Sequence, residues 1–182
     1  MTEITKEKKQ VGGNRLPRIA ISAGLVILFV LGSYLLKDSP LTAGDDAPVW
    51  NLPQVNNGEG MLSLLSFRGK VALVDFWSTT CPPCLAQIPV LQRIQHDYPA
   101  LAVVGVEVGG TPLEDLRDFA KLRNVMYPLV SDSRGIAANA YSVSSLPTLF
   151  IIGPKGTVLA SHQGFWAEEQ LTAQIRKALE KE

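Results

Sequence analysis

Two cysteines stand three positions apart in Trp77-Ser-Thr-Thr-Cys81-Pro-Pro-Cys84, where an apolar run gives way to a helical pattern. Two residues between cysteines at a helix start let the sulfurs close a small ring with little rearrangement. The first sulfur then lies over the helix N-terminus, where unpaired amides and the helix dipole favour a thiolate. A thiolate is the species that attacks a disulfide. The pair therefore points to thiol–disulfide exchange, with Cys81–Cys84 as the redox disulfide. Two other uses fit less well. A zinc site needs four ligands, and His96 and His162 lack ligand spacing. A structural disulfide usually closes a longer loop, because its stabilisation rises with loop length. No metal and no cofactor is expected.

The elements that must present this pair read as one α/β unit over residues 48–182. Val71 to Trp77 is apolar except for Asp75, the pattern of a central parallel strand covered on both faces. A helix from Cys84 to about Asp97 follows, with Leu85, Ile88, Leu91 and Ile94 along one side and Pro89 kinking it. Leu101 to Val108 is the next buried strand. Thr111-Pro-Leu-Glu114 has the capping-box pattern with proline at the first helical position, so a helix is predicted from there to about Arg123. A short strand at Tyr127 to Val130 and a short helix at Arg134 to Tyr141 come next. Thr148 to Ile152 and Thr157 to His162 form a hairpin around Gly153-Pro-Lys-Gly156, and an amphipathic helix spans Ala167 to Glu180. Ahead of the central strand, Val49 to Val55 and Met61 to Leu65 make two short strands around Asn56-Asn57-Gly58.

Asp75 is the only ionisable residue between Lys70 and Cys81. Uncompensated burial of a carboxylate is costly and raises its pKa, so Asp75 is either a proton-handling group or a strand-end residue bonded to backbone amides. Glu107, in the neighbouring strand, reads as an ordinary solvated or paired residue. Trp50, Trp77 and Trp166 read as core or rim aromatics, with Trp77 packed beside the cysteines.

Val-Asp-Phe-Trp-x-x-x-Cys-x-x-Cys, with Pro89 five residues after Cys84, resembles thioredoxin, and so does Ser145-Leu-Pro147-Thr148 opening a later strand. The resemblance implies a thioredoxin fold: a central mixed sheet flanked by helices, here with extra N-terminal strands. It also implies that Pro147 is cis and faces the cysteines, leaving the Leu146 backbone free to pair with an extended substrate beside Trp77. Asp75 matches an aspartate thought to help deprotonate the second cysteine. Cys81, Cys84 and Asp75 are thus the implied catalytic set, and Trp77, Leu146 and Pro147 the implied substrate-binding set. Phe67-Arg-Gly-Lys70, the segment around Thr111–Val130 and an N-terminal anchor look like the TlpA/ResA group of membrane-tethered thiol-disulfide oxidoreductases. Two positions depart from that pattern. Thr80 stands where tryptophan is common, and Gln87 where many members of the group have a glutamate.

Lys+Arg and Asp+Glu balance at 17 each in 182 residues, so no global field draws the protein to nucleic acid. Lys6, Lys8, Lys9, Arg15 and Arg18 crowd residues 1–18, read as a cytoplasmic basic tail. Residues 19–36 carry no charge and suffice to cross a hydrocarbon core of about 30 Å. Residues 37–47 have linker composition. A cleaved signal peptide is the competing reading, with a poor small-x-small site at Leu41-Thr42-Ala43; the expectation is an uncleaved single anchor. The charge asymmetry places the domain outside a bacterial inner (plasma) membrane, facing the periplasm, where disulfides persist.

Proline at both positions between the cysteines removes two amide donors from the first helical turn, so the thiolate is less stabilised and the couple more reducing. The expectation is a reductant of client proteins with disulfides, recharged by a membrane electron donor. By analogy with the TlpA/ResA group, the clients are apocytochrome c or copper-site assembly proteins. The alternatives are a disulfide-forming oxidase, or a non-catalytic client- or copper-binding chaperone of the same fold. Copper carriers of this fold generally need wider cysteine spacing and a nearby histidine. A peroxidase reading fails because its attacking cysteine normally has no close CxxC partner.

Overall fold

Six successive buried residues form strand β3 (Ala72–Trp77), which is flanked on both edges in a computed structural model that describes residues 41–180. It runs parallel to β4 (Ala102–Glu107) and antiparallel to β6 (Thr148–Ile152). β5 (Leu129–Ser131) joins β4 in parallel, and β7 (Val158–Gln163) joins β6 antiparallel. The five-stranded order β5-β4-β3-β6-β7 is the central mixed sheet of a thioredoxin-like α/β fold. A separate antiparallel pair, β1 (Asn51–Pro53) and β2 (Met61–Ser63), precedes it.

Side-chain alternation along β3 sorts the core into two layers. Leu73 and Trp77 point to the layer filled by Ile88, Leu91 and Ile94 of helix α1 (Pro82–Asp97) and by Leu171 and Ile175 of the C-terminal helix (Glu168–Leu179). Leu116 of helix α2 (Leu113–Leu122) joins them. Ala72, Val74 and Phe76 point the other way, against Trp50, Leu52 and Ala137 of helix α3 (Ile136–Ala140). There Phe76, Tyr141 and Phe150 pack ring against ring, with centroids 5.0 to 5.8 Å apart. Full burial of each leucine or isoleucine contributes about 1.5–3 kcal/mol, so both faces of β3 are anchored.

Several boundaries differ from the sequence reading for identifiable reasons. Helix α1 begins at Pro82, ahead of Cys84, because proline fits the first helical positions, and it runs unbroken through the exposed Pro89 to Asp97. β1 is shorter than expected: beyond Pro53 the chain leaves β2, and the Val55 N–H donates to Leu129 O instead. The capping box at Thr111 does not form. Pro112 is the N-cap of α2, with no side-chain cap, because the Thr111 hydroxyl donates to Glu107 Oε1. The linker expected over 37–47 is tied to the domain by Gly44, whose N–H donates to Val158 O, and the Ala47 N–H donates to Gly156 O. The expected tail and span at residues 1–18 and 19–36 lie outside the described residues. Among the described residues no helix is long and apolar enough to cross a membrane.

Gly105 pairs in register with Asp75 on β3, and a Cβ there would meet Leu129 Cδ2 at 2.6 Å and Trp77 Nε1 at 2.9 Å. Gly105→Ala should therefore overpack the layer beneath the cysteines and cost about 1–3 kcal/mol. Denaturant midpoints of the oxidised proteins check this, and an unchanged midpoint would mean that Leu129 and Trp77 yield freely.

Candidate functional site

Cys81 is the N-cap residue of α1, reached from β3 through the loop Ser78-Thr79-Thr80. Its backbone is extended (φ −101°, ψ 104°), which turns Sγ back over the helix N-terminus, where it accepts the Cys84 N–H at 3.3 Å. Cys81 and Cys84 form a disulfide with Cα atoms 5.2 Å apart. Pro82 and Pro83 occupy the first helical positions and offer no N–H. Cys81 is partly accessible and Cys84 fully buried, so an incoming thiol or disulfide meets Cys81 first.

The Leu146–Pro147 peptide bond is cis. Leu146 packs, like Cys81, against the apolar layer that holds Cys84 and Trp77. Among the described residues neither backbone group of Leu146 has a backbone partner, leaving both free for an extended chain. Pro147 O accepts the Gly164 N–H at 2.7 Å, which draws in the loop Gly164-Phe165-Trp166. Gln87 clamps the same loop to α1: the Trp166 N–H donates to its Oε1 at 2.7 Å, and its Nε2 donates to Trp166 O at 3.2 Å. The departure at Gln87 is thus a structural tie. Trp77 is only 1 % exposed and lies against Phe119, ring centroids 5.3 Å apart. It supports the cysteines from beneath, and in this state it presents no face to a client, contrary to its expected place in the substrate-binding set.

Asp75 follows the alternation of Leu73 and Trp77 into the layer that also holds Cys84. It is completely buried, and among the described residues neither carboxyl oxygen has a hydrogen-bond partner. Burial alone pushes its pKa up to about 8, so near neutrality the group is mostly protonated and its titration overlaps that of a thiol, about 8.5 when unperturbed. The carboxyl is not bonded to backbone amides, which removes the strand-end alternative.

Glu107 corrects the sequence reading. It is fully buried at the end of β4, beside Trp77 in register, and burial raises its pKa. Its Oε1 accepts the Gly109 N–H at 2.9 Å and the Thr111 hydroxyl at 3.0 Å. The signal for this was the pair Gly109-Gly110, one residue beyond the end of β4. A Cβ at Gly109 would collide with Ser78 Oγ and Glu107 Oε1, so only glycine lets the backbone reach the carboxylate.

Residues 43–161 match the AhpC/TSA family. The chain is 30% identical to the thiol-disulfide oxidoreductase ResA of Bacillus subtilis (strain 168) over 85% of its length and 89% of the relative's. It is 28% identical to the thioredoxin-like protein YneN of the same organism, over 84% and 95%. A Chlorobium tepidum crystal structure, assigned as a thiol:disulfide interchange protein DsbE, superposes with a TM-score of 0.70 at 31% identity, covering 76% of this chain and 99% of that one.

The unpartnered carboxyl makes stability depend on pH with a definite sign. Asp75 binds its proton more tightly folded (about 8) than unfolded (about 3.9). Its contribution is complete below about pH 4 and is lost toward pH 8, by about 1.4 kcal/mol per pH unit. Asp75→Asn should flatten that decline and raise the denaturant midpoint at pH 8.5 more than at pH 5. Equal shifts at both pH values would mean that the carboxyl is hydrated or paired in solution.

Proposed function

The chain belongs to the AhpC/TSA family and is a thiol-disulfide oxidoreductase, and from that premise we propose that it works as a reductase of the bacterial cell envelope. Residues 19–36 anchor it in the inner membrane, and the dithiol faces the periplasmic side. Its clients are proteins with disulfides, with apocytochrome c and copper-site assembly proteins as the leading candidates. A membrane electron donor returns the Cys81–Cys84 pair to the dithiol. The observation that carries the direction is the pair of prolines. Among the described residues the Cys84 N–H is the one donor reaching Cys81 Sγ, so the thiolate has few donors, and a poorly stabilised dithiol is a reducing one.

The cycle follows from the two sulfurs' exposure. The Cys81 thiolate attacks one sulfur of the client disulfide, forming a Cys81–client bond and releasing the other client sulfur as thiolate. The client strand is held at the unpaired Leu146 backbone beside Pro147. Cys84 then gives its proton to the Asp75 carboxylate and attacks Cys81 Sγ. The Cys81–Cys84 disulfide closes, the second client sulfur leaves as thiolate, and the client has gained two electrons. A base at pH 7–9 with a pKa near 8 suits that proton transfer.

Cys84→Ser should stall the cycle with clients attached, visible as reducible adducts on a non-reducing gel, and Cys81→Ser should trap none through this site. Asp75→Asn should slow turnover, most at the alkaline end of pH 6–9; unchanged rates across that range would remove its proton role. Trapping by Cys81→Ser alone would reverse the assignment of the sulfurs. The midpoint potential decides direction: a value at or below about −230 mV fits a reductase, whereas one near about −120 mV would make the protein an oxidase. A reporter fused after Glu182 should be active only in an oxidising envelope compartment, and activity confined to the cytoplasm would overturn the topology.

A further inference from the structure

We infer that Glu107 is a positioning residue for the redox pair, holding the loop that carries Cys81 through a chain of two threonine hydroxyls. The Thr111 hydroxyl donates to Glu107 Oε1 at 3.0 Å, so its oxygen is left to accept, and the Thr79 hydroxyl 2.9 Å away must be the donor to it. The chain therefore has one direction, from Thr79 through Thr111 to the carboxylate, and it ends two residues before Cys81. Glu107 itself cannot move far. The Asp132 N–H donates to its carbonyl at 2.8 Å and the Val108 N–H to Trp77 O at 2.9 Å, so the end of β4 is stitched to both neighbouring strands.

Among the described residues the other hydrogen bonds of the loop stay within it. The Thr80 N–H donates to Ser78 Oγ at 3.3 Å, the two hydroxyls lie 3.1 Å apart, and the Cys81 N–H donates to Ser78 O at 3.3 Å. Among the described residues its one side-chain bond to the connection after β4 is Thr79–Thr111. Burying a carboxyl for this purpose is costly, and desolvation does raise the group's pKa. A carboxylate oxygen offers what two converging donors, the Gly109 amide and the Thr111 hydroxyl, require.

The consequence falls on the reduced protein. When the disulfide is closed, the covalent bond holds Cys81 against Cys84. When it is open, the hold falls to the first turn of α1, where the Leu85 N–H donates to Cys81 O at 3.1 Å, and to the loop, and the effective concentration of one sulfur at the other depends on both. The inference rests on thiol–disulfide exchange at this pair in either direction. It is independent of the reductase assignment.

Equilibrating the full chain with glutathione tests it: the dithiol and glutathione disulfide give the Cys81–Cys84 disulfide and two glutathione thiols. Thr79→Val cuts the chain at its accessible end and leaves Glu107 in place. It and Glu107→Ala should each lower the ring-closure constant about tenfold, raising the midpoint potential by about 30 mV. Glu107→Gln, whose amide oxygen accepts the same two donors, should recover most of the loss. Circular dichroism identifies a variant that fails to fold, and Thr79→Val carries the test where Glu107→Ala does. If Thr79→Val is folded and has the parent's equilibrium constant, the inference is overturned, while the parent's own equilibration leaves the exchange chemistry standing. If Glu107→Gln is as impaired as Glu107→Ala, hydrogen-bond acceptance is not what Glu107 contributes, and the inference again fails.

Discussion

A reactive sulfur can be held at the tip of β3 because that strand is paired along both edges and roofed on both faces. β4 and β6 take its backbone hydrogen bonds, and the two apolar layers leave all six of its residues buried. A strand so enclosed has no freedom to slide, since a shift of one residue would drive Asp75 and Trp77 into the opposite layer. Everything that matters for exchange hangs from this rail. Asp75 lies in the dry layer under the cysteines, Trp77 forms the floor, and the loop from Ser78 delivers Cys81 to the start of α1.

Enclosure also explains why the site keeps polar groups at positions where they weaken the fold. A buried carboxyl with neither oxygen partnered is a poor use of a core position, and apolar residues of similar size would stabilise the strand. It does place a proton-binding group of thiol-like pKa in a layer sealed from water. Glu107 is a different case, because one of its oxygens is fully used by Gly109 and Thr111. The two acids therefore divide the work: Asp75 is free to take up a proton, whereas Glu107 is engaged in holding backbone and hydroxyls.

The parts of this arrangement that follow from periodicity were legible in the sequence. The apolar run Val71–Trp77, the spacing of Ile88, Leu91 and Ile94, and the turn at Gly153–Gly156 located the sheet, α1 and the hairpin, because burial on a fixed face leaves a periodic trace. The cysteine spacing and Asp75 stood out as polar or reactive groups in such a run. What was not legible was competition between partners. Thr111 has the sequence of a capping residue, but a buried carboxylate three-dimensionally close to it takes the hydroxyl. Glu107 looks solvated because an acid at a strand end usually is, and only the fold shows that the Gly109 turn closes over it. Gln87 could be seen as a departure, but its partner Trp166 is 79 residues away.

That last tie has a chemical reason that a carboxylate at the same place could not meet. The Trp166 backbone presents one donor and one acceptor to position 87, and an amide side chain answers both at once. An ionised glutamate could accept from the N–H but would set its other oxygen against Trp166 O, so it would need a proton to fit. With glutamine the contact is independent of pH. The loop that meets Pro147 through Gly164 stays attached to α1 whatever the protonation of the site. Helix α1 is thereby tied to the cis-proline side of the site by a neutral contact, and the loop that leads into it is tied to the β4 side through Thr79 and Glu107. Among the described residues Asp75 is the buried acid with neither oxygen engaged, which is what recommends it for the proton-accepting role proposed above.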